Sequence, residues 1–178
     1  MSLPRTPSQT VGPYFAFALA TRPALVAADA PGAIRIEGRV LDGAGEPVPD
    51  GLVEIWQAGA DGRREGNAGW GRCSTGPDGD YAFTTVKPPR AVGDGDPQAP
   101  HVSALCFARG LLKPVLTRIY FGDEAEANAA DPVLCAIADA AERATLVARA
   151  TGPATYRFDI RLQGEGQTVF FTTPASGL

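Results

Sequence analysis

The chain has one histidine, His101, and a metal site or a catalytic dyad would have to be built around it. A protein-bound metal ion needs three or four nitrogen, oxygen or sulfur donors that converge from fixed elements. Two residues further on, where a second ligand on the same strand face would stand, the sequence has Ser103. The residues around the histidine therefore do not predict a complete metal site.

The residues needed for nucleophilic catalysis are also incomplete. A serine triad would need His101 as its base, and the sequence contains no G-x-S-x-G segment. Cys106 lies five residues after His101 on the same predicted strand, and this odd spacing places the two side chains on opposite faces. No G-x-x-x-x-G-K-[ST] phosphate loop occurs. The chain alone predicts no complete catalytic constellation.

Composition argues against several classes of function. The formal net charge is −4 and no basic cluster is present, which disfavours binding to nucleic acid. No apolar run is long enough for a membrane span, and the first residues lack the apolar core of a secretory signal, so we expect a cytoplasmic protein. Cys73, Cys106 and Cys135 are odd in number and widely spaced, which predicts buried free thiols in a reducing compartment.

Alternation of apolar and polar residues predicts the strands that would position these side chains. Apolar residues recur at every second position from Ile34 to Val40, and a second strand is expected over Leu52 to Gln57. The turn residues Asp42 to Gly45 lie between them and indicate a hairpin. Further strands are predicted over residues 80–86, 101–107, 115–121, 145–150, 155–162 and 167–172.

The remaining elements are one helix and an N-terminal arm. Asp131 as N-cap and Pro132 at the first helical position predict a helix over residues 132–141. Repeated prolines within residues 1–13 predict an extended arm. The expected fold is all-β, an antiparallel β-sandwich with an extended N-terminal arm and one short helix. Residues 1–32 would form the arm and its following loop, and residues 33–178 the sandwich domain.

Several segments together resemble the intradiol ring-cleaving dioxygenases. They are TPSQTVGPYF, GRVLDGAGEPVPDGLVEIWQA, APHVSALCFARG, TRIYF and YRFDIRLQGEGQTVFF, in the family's order and over most of the chain. The resemblance implies a β-sandwich and a ferric ion held by two tyrosines and two histidines. It is closest to the alpha chain of a two-chain member, which implies a hetero-oligomer of αβ protomers with Fe(III) bound by the beta chain.

The family's four iron-ligand positions can be compared with this sequence one by one. The first tyrosine position corresponds to Arg64, and the loop that would carry the second, residues 89–100, contains no tyrosine. The two histidine positions correspond to His101 and Ser103. Three of the four ligands are therefore replaced, and one imidazole beside a guanidinium cannot hold Fe(III). The resemblance thus implies a vestigial site that binds no metal in this chain.

The resemblance also implies that the arm and the F-A-R-G segment form part of the substrate pocket. The matching positions are Thr10, Gly12, Pro13, Tyr14 and Arg109. A tyrosine ring offers a flat apolar face to an aromatic substrate, and an arginine offers a permanent positive charge to a carboxylate or a catecholate. For Thr10, a role as a backbone cap is an equal alternative.

The function implied by the resemblance is that of a non-iron alpha subunit. The αβ enzyme would use Fe(III) and O2 to cleave protocatechuate to 3-carboxy-cis,cis-muconate, and this chain would supply pocket residues and the assembly interface. Its partners would be the beta chain, the aromatic substrate and O2, with no nucleic acid and no membrane. Two alternatives stay open: a non-catalytic β-sandwich interaction module that has lost its active site, and a self-sufficient enzyme that uses another metal.

Overall fold

Nine strands and three short helices form the part of the chain that the computed structural model describes, which is residues 6–10, 12–14, 19–59, 69–91 and 97–172. The strands are β1 (Ala33–Leu41), β2 (Leu52–Gln57), β3 (Trp70–Ser74), β4 (Asp80–Val86), β5 (His101–Phe107), β6 (Val115–Phe121), β7 (Val147–Gly152), β8 (Thr155–Arg157) and β9 (Ile160–Arg161). The helices are α1 (Ala125–Ala129), α2 (Pro132–Ala136) and α3 (Ala140–Ala144). None of the described helices has the length and apolar character that a membrane crossing requires.

The strands follow the order β3-β2-β5-β6-β7-β8-β1-β4, with β9 paired to β1. One layer is β3-β2-β5-β6 and the other is β7-β8-β1-β4, and both contribute to a single hydrophobic core. This architecture confirms the predicted β-sandwich. Most neighbours are antiparallel, but β1 pairs in parallel with β8 and β9, and β6 pairs in parallel with β7. The parallel pairs form where the chain crosses over between strands instead of turning back in a hairpin.

The alternation in β1 places its apolar side chains in the core as predicted. Ile36 and Val40 are fully buried, and burying a side chain of this size contributes about 1.5–3 kcal/mol to folding. Gly38 lies between them and has no room for a side chain, because an added Cβ would lie 1.7 Å from the carbonyl oxygen of Phe158. The glycine therefore permits the close approach of the segment that links β8 to β9.

The predicted hairpin between β1 and β2 is wrong. The turn itself forms: Asp42 Oδ1 accepts hydrogen bonds from the backbone N–H groups of Ala44 and Glu46, and Val48 donates to the carbonyl of Val40. Beyond this point the chain crosses to the other layer, where β2 pairs with β3 and β5 while β1 pairs with β4, β8 and β9. The local turn was predicted correctly, but pairing between distant strands decides where β2 lies.

A short segment of the N-terminal region joins the two open edges of the sandwich. Arg22 exchanges two backbone hydrogen bonds with Arg72 of β3, at 2.7 and 3.0 Å. Pro23 and Leu25 bond to Thr84 of β4 through backbone groups. Residues 22–25, which we call the seam segment, therefore lie between the first and last strands of the sheet order and satisfy both edges.

Three predicted elements differ in detail. The glycine-rich residues 59–79, for which the sequence predicts a loop and no strand, contain β3, which is stabilised by pairing with β2. The single predicted helix is replaced by three, and residues 132–141 contain α2 and the start of α3, because Asp139 caps a second helix. The predicted strand over 167–172 is reduced to one bridge between Phe171 and Leu116.

Candidate functional site

The outer face of the β3-β2-β5-β6 layer carries a row of side chains in register. Trp70, Trp56, Ser103 and Arg118 are consecutive cross-strand partners on the four strands. Above this row lies a cavity of about 490 Å³ with a mainly apolar lining. Its walls are Glu54, Ile55, Trp56, Trp70, Ser103, Leu105, Leu116, Arg118, Val133 and Phe171. Ser103, one of the positions that match an iron ligand, therefore lines an apolar cavity.

His101, the second matching position, is buried at the start of β5. Its Nδ1–H donates to the carbonyl of Ala99 at 2.8 Å, and its ring lies 5.5 Å from that of Tyr120, its cross-strand partner on β6. The backbone bond and the aromatic neighbour together fix the orientation of the His101 ring. The odd spacing to Cys106 has the expected consequence, because Cys106 points into the core on the other face of β5.

A buried polar network lies beside His101. Tyr120 donates its hydroxyl proton to Asp131 Oδ1 and accepts from Arg118, both at 3.1 Å. Burial raises the pKa of Tyr120 to about 12, although the adjacent Arg118 opposes the shift. Asp131 also accepts from the backbone N–H groups of Val133, Leu134 and Ala99. One fully buried carboxylate thus caps α2 and fixes the start of β5.

The groups at the matching positions do not fit a ferric site. The resemblance implies a ferric ion held by two phenolates and two imidazoles, whereas the described groups at the matching positions are one imidazole and the hydroxyl of Ser103. Across the described ranges, no group of three or more His, Cys, Asp or Glu side chains converges. Arg64 and residues 92–96 lie outside the described residues.

The opposite end of β5 carries a second polar arrangement, which is exposed. Arg109 lies in the connection from β5 to β6, and its side chain is 62% exposed. Its Nε lies 2.7 Å from Oδ2 of Asp50, a residue of the β1–β2 connection that is 8% exposed. Because β5 spans seven residues, this pair lies roughly 20 Å or more from His101. The structure does not bring Arg109 together with His101 and Ser103.

The arm residues lie on the Arg109 side of the molecule. Gln9 and residues 107–108 and 111–114 line a small cavity of about 120 Å³. Thr10 accepts a hydrogen bond from the N–H of Gly12 at 3.1 Å, so the backbone-capping alternative for Thr10 is realised. Gly12 has φ of +72° and begins a 3₁₀ turn, Gly12–Tyr14, that includes Pro13. The Tyr14 side chain is 57% exposed, as an aromatic side chain offered to another molecule would be.

The three cysteines differ more than the sequence predicted. Cys106 is buried, and burial raises the pKa of its thiol to about 12. Cys73 is half-buried with its pKa also raised by burial, whereas Cys135 is exposed. All three are free thiols, but the prediction that all are buried is wrong for Cys135, because it lies on the solvent side of the short helix α2.

Comparison with known proteins identifies the family. A family model described as Dioxygenase matches residues 12–164. Two alpha chains of protocatechuate 3,4-dioxygenase are similar over nearly their whole length: that of Pseudomonas putida is 44% identical over 95% of this chain and 96% of its own, and that of Burkholderia cepacia is 41% identical over 96% and 98%. This chain belongs to the intradiol dioxygenase family.

Other members of the intradiol dioxygenase family extend the comparison. The protocatechuate 3,4-dioxygenase beta chain of Burkholderia cepacia is 34% identical over 76% of this chain and 66% of its own. The solved dioxygenase domain of a dioxygenase–carbohydrate-binding fusion protein from Streptomyces sp. SirexAA-E superposes with a TM-score of 0.63 at 30% identity, over 89% of this chain and 98% of that domain. The sandwich described above is therefore the fold of intradiol dioxygenases.

Proposed function

We propose that this chain is the iron-free alpha subunit of a protocatechuate 3,4-dioxygenase. It would pair with a beta chain that binds Fe(III), and the αβ enzyme would cleave protocatechuate with O2 to 3-carboxy-cis,cis-muconate. The observation that carries this proposal is the state of the matching ligand positions. Of the two histidine positions that the resemblance implies, only His101 keeps an imidazole, and Ser103 lines an apolar cavity, in a chain that is 41–44% identical to alpha chains over almost its full length.

The contribution of this chain to the substrate pocket would come from the arm and from the β5–β6 connection. Thr10, Gly12, Pro13 and Tyr14 would form one wall, with the ring of Tyr14 against the aromatic ring of the substrate. Arg109 would bind the substrate carboxylate, because a planar guanidinium matches a planar carboxylate. The exposure of Tyr14 and Arg109 and the position of Gln9 against residues 107–114 support this arrangement. The free thiols fit a reducing compartment such as the cytoplasm.

Co-expression with and without a beta chain tests the subunit assignment. We expect the purified αβ complex to contain one iron per αβ pair and to open protocatechuate, as followed by O2 uptake and by the loss of catechol absorbance. The chain purified alone should contain no stoichiometric iron and show no ring cleavage. Stoichiometric iron with activity in the single chain would contradict the proposal and favour a self-sufficient enzyme. A stable complex with an iron-loaded beta chain that cleaves no catechol would favour the interaction module.

A further inference from the structure

The strongest unexplained group outside the matching ligand positions is the carboxylate of Asp50. The residue is 8% exposed, and neither carboxylate oxygen accepts a well-aligned hydrogen bond from any described residue. A buried carboxylate without such bonds is costly unless an opposite charge compensates it. Among the described residues, that charge is the Arg109 guanidinium, with Nε 2.7 Å from Oδ2. Hydrogen bonds to the Asp50 carboxylate therefore do not explain why it is buried beside Arg109.

The backbone around Asp50 is fixed by the fold. The N–H of Gly51 donates to Thr75 Oγ1 at 2.8 Å, and the same hydroxyl donates to the carbonyl of Val48 at 2.7 Å. Thr75 N–H donates in turn to the carbonyl of Gly51 at 2.9 Å. One residue later, Leu52 begins β2 and pairs with Phe107 of β5. The carboxylate thus projects from a backbone that cannot move without breaking the hydrogen bonds at the start of β2.

The backbone of Arg109 is fixed by a turn, and its guanidinium is paired with Asp50. It follows the buried Ala108, and the turn closes through Leu111 N–H to the Ala108 carbonyl at 3.2 Å, with Gly110 at φ of +84°. Its Nε lies 2.7 Å from Oδ2 of Asp50, and the side chain is otherwise 62% exposed. The contact with Asp50 therefore restricts a long side chain and leaves the Nη1–Nη2 edge available for a second planar anion.

We propose that Asp50 is a positioning residue that holds the Arg109 guanidinium so that its Nη1–Nη2 edge binds the substrate carboxylate. The inference rests on the proposed function, since it names the group that orients the carboxylate-binding arginine. Asp50 lowers the net positive charge at this point, so its contribution is orientation and not attraction. Pre-ordering a long side chain before binding avoids an entropic cost at the moment of binding.

The test uses the αβ complex and two substrates, protocatechuate and catechol, which differ by the carboxylate. In Asp50→Asn we expect kcat/KM for protocatechuate to fall about two- to twelvefold, the range that corresponds to freezing one long side chain, while kcat/KM for catechol stays unchanged. The effect should appear mainly in KM. A structural defect would instead lower both values together. No change with protocatechuate, or an equal loss with both substrates, would overturn the positioning role.

Arg109→Lys provides a second test if Asp50→Asn folds poorly. Lysine keeps the charge at an exposed position but cannot contact Asp50 through Nε and bind a carboxylate through a fork at the same time. We expect Arg109→Lys to lose preference for protocatechuate over catechol, as Asp50→Asn does. The double variant should lose little more, because the effects of substituting two residues that act together are not additive. Full preference in Arg109→Lys would show that an oriented fork is not needed.

Arg109→Ala separates failure of this inference from failure of the proposed function. If Arg109→Ala lowers kcat/KM for protocatechuate but Asp50→Asn and Arg109→Lys do not, the arginine binds substrate without help from Asp50. If Arg109→Ala changes neither substrate, the placement of Arg109 in the pocket is wrong. A third outcome is weaker αβ association in Arg109→Ala, measured by sedimentation, with normal kinetics in the fraction that remains assembled. In that case the anion bound by Arg109 is a carboxylate of the partner chain, and the inference is overturned.

Discussion

The polar side chains at the two ends of β5 differ: those at its start are hydrogen-bonded within the chain, and the arginine beyond its end is exposed. At its start, His101, Tyr120, Arg118 and Asp131 form a buried network in which the side chains bond to one another and to backbone groups. Beyond its end, Arg109 is exposed and forms an ion pair with Asp50. A site that must bind another molecule keeps donors available, whereas a site that only stabilises the fold satisfies them internally. The comparison predicts that mutations at the start of β5 alter stability and mutations at its end alter activity.

The largest effect is expected from Asp131→Ala. The change removes the N-cap of α2 and leaves the buried N–H of Ala99 and the hydroxyl of Tyr120 without their acceptor, so the free energy of unfolding should fall by about 3 kcal/mol or more. Urea unfolding of the αβ complex measures the effect. Asp139→Ala, which removes the exposed cap of α3, is the matched control and should cost about 1 kcal/mol. Equal losses in the two variants would contradict the network's structural role.

Arg109→Ala should reduce activity, and it should also reduce stability because it leaves the buried Asp50 carboxylate without its compensating charge. Loss of a charge-assisted hydrogen bond to substrate predicts a fall in kcat/KM for protocatechuate of about ten- to a hundredfold. Iron content per αβ pair should stay as it is, whereas the unfolding midpoint should fall. Arg149→Ala removes one exposed positive charge from β7 and serves as the control, with no change in kinetics expected. If the control lowers activity as much, overall charge and not a specific contact would be responsible.

His101→Gln tests whether the start of β5 retains any connection to the metal. We expect unchanged iron content and unchanged kcat/KM, with a loss of stability of about 1 kcal/mol from the bond to Ala99 and the packing on Tyr120. Metal analysis and steady-state kinetics of the αβ complex measure the first two quantities. A drop in iron would mean that this residue supports the metal site of the enzyme and would remove the distinction between the two ends.

The smallest effect concerns alkaline pH. Tyr120 has its pKa raised to about 12 in the folded chain, so between the ordinary tyrosine value near 10 and pH 12 the unfolded state has lost a proton that the folded state keeps. Its contribution to stability is therefore complete below pH 10 and is lost as the pH rises toward 12. In Tyr120→Phe the decline of unfolding free energy over this interval should be shallower, as urea titrations at several pH values would show. An identical slope would mean that Tyr120 does not titrate in this way.

Sequence alternation predicted the strands whose two faces differ in polarity, and missed features set by distant pairing. The strand β3 was missed because Gly71 and Arg72 give WGRCS no clear alternation, and β2 supplies its pairing. The capping residue Asp139, with Glu142 three positions later, was a usable signal for α3. The crossing from β1 to β2 had no local signal, because the turn at Asp42 looks the same in a hairpin and in a crossover.

The site was predictable only where residue type alone decides the chemistry. Ser103 and Arg64 stand at positions that the resemblance assigns to iron ligands, and the sequence alone shows that neither residue type suits ferric iron. The network of Tyr120, Arg118 and Asp131 could not be predicted, because it joins two residues of β6 to the residue that caps α2. Asp50 carried no signal in the sequence, because its contact with Arg109 depends on the pairing of β2 with β5. The roles of Thr10, Gly12, Pro13 and Tyr14 in binding stay predictions, since they concern contact with a second molecule.

The seam segment also sets how far the N-terminal arm can reach. Arg22 is fixed to β3, and Tyr14 lies eight positions before it in the chain, so the tyrosine stays within about 28 Å of that anchor. In the proposed αβ enzyme, contact of the arm with the beta chain would be an intramolecular event at high local concentration once the two sandwich domains have met. Lengthening residues 15–21 with a flexible insert would therefore slow or weaken assembly while every contact remained the same.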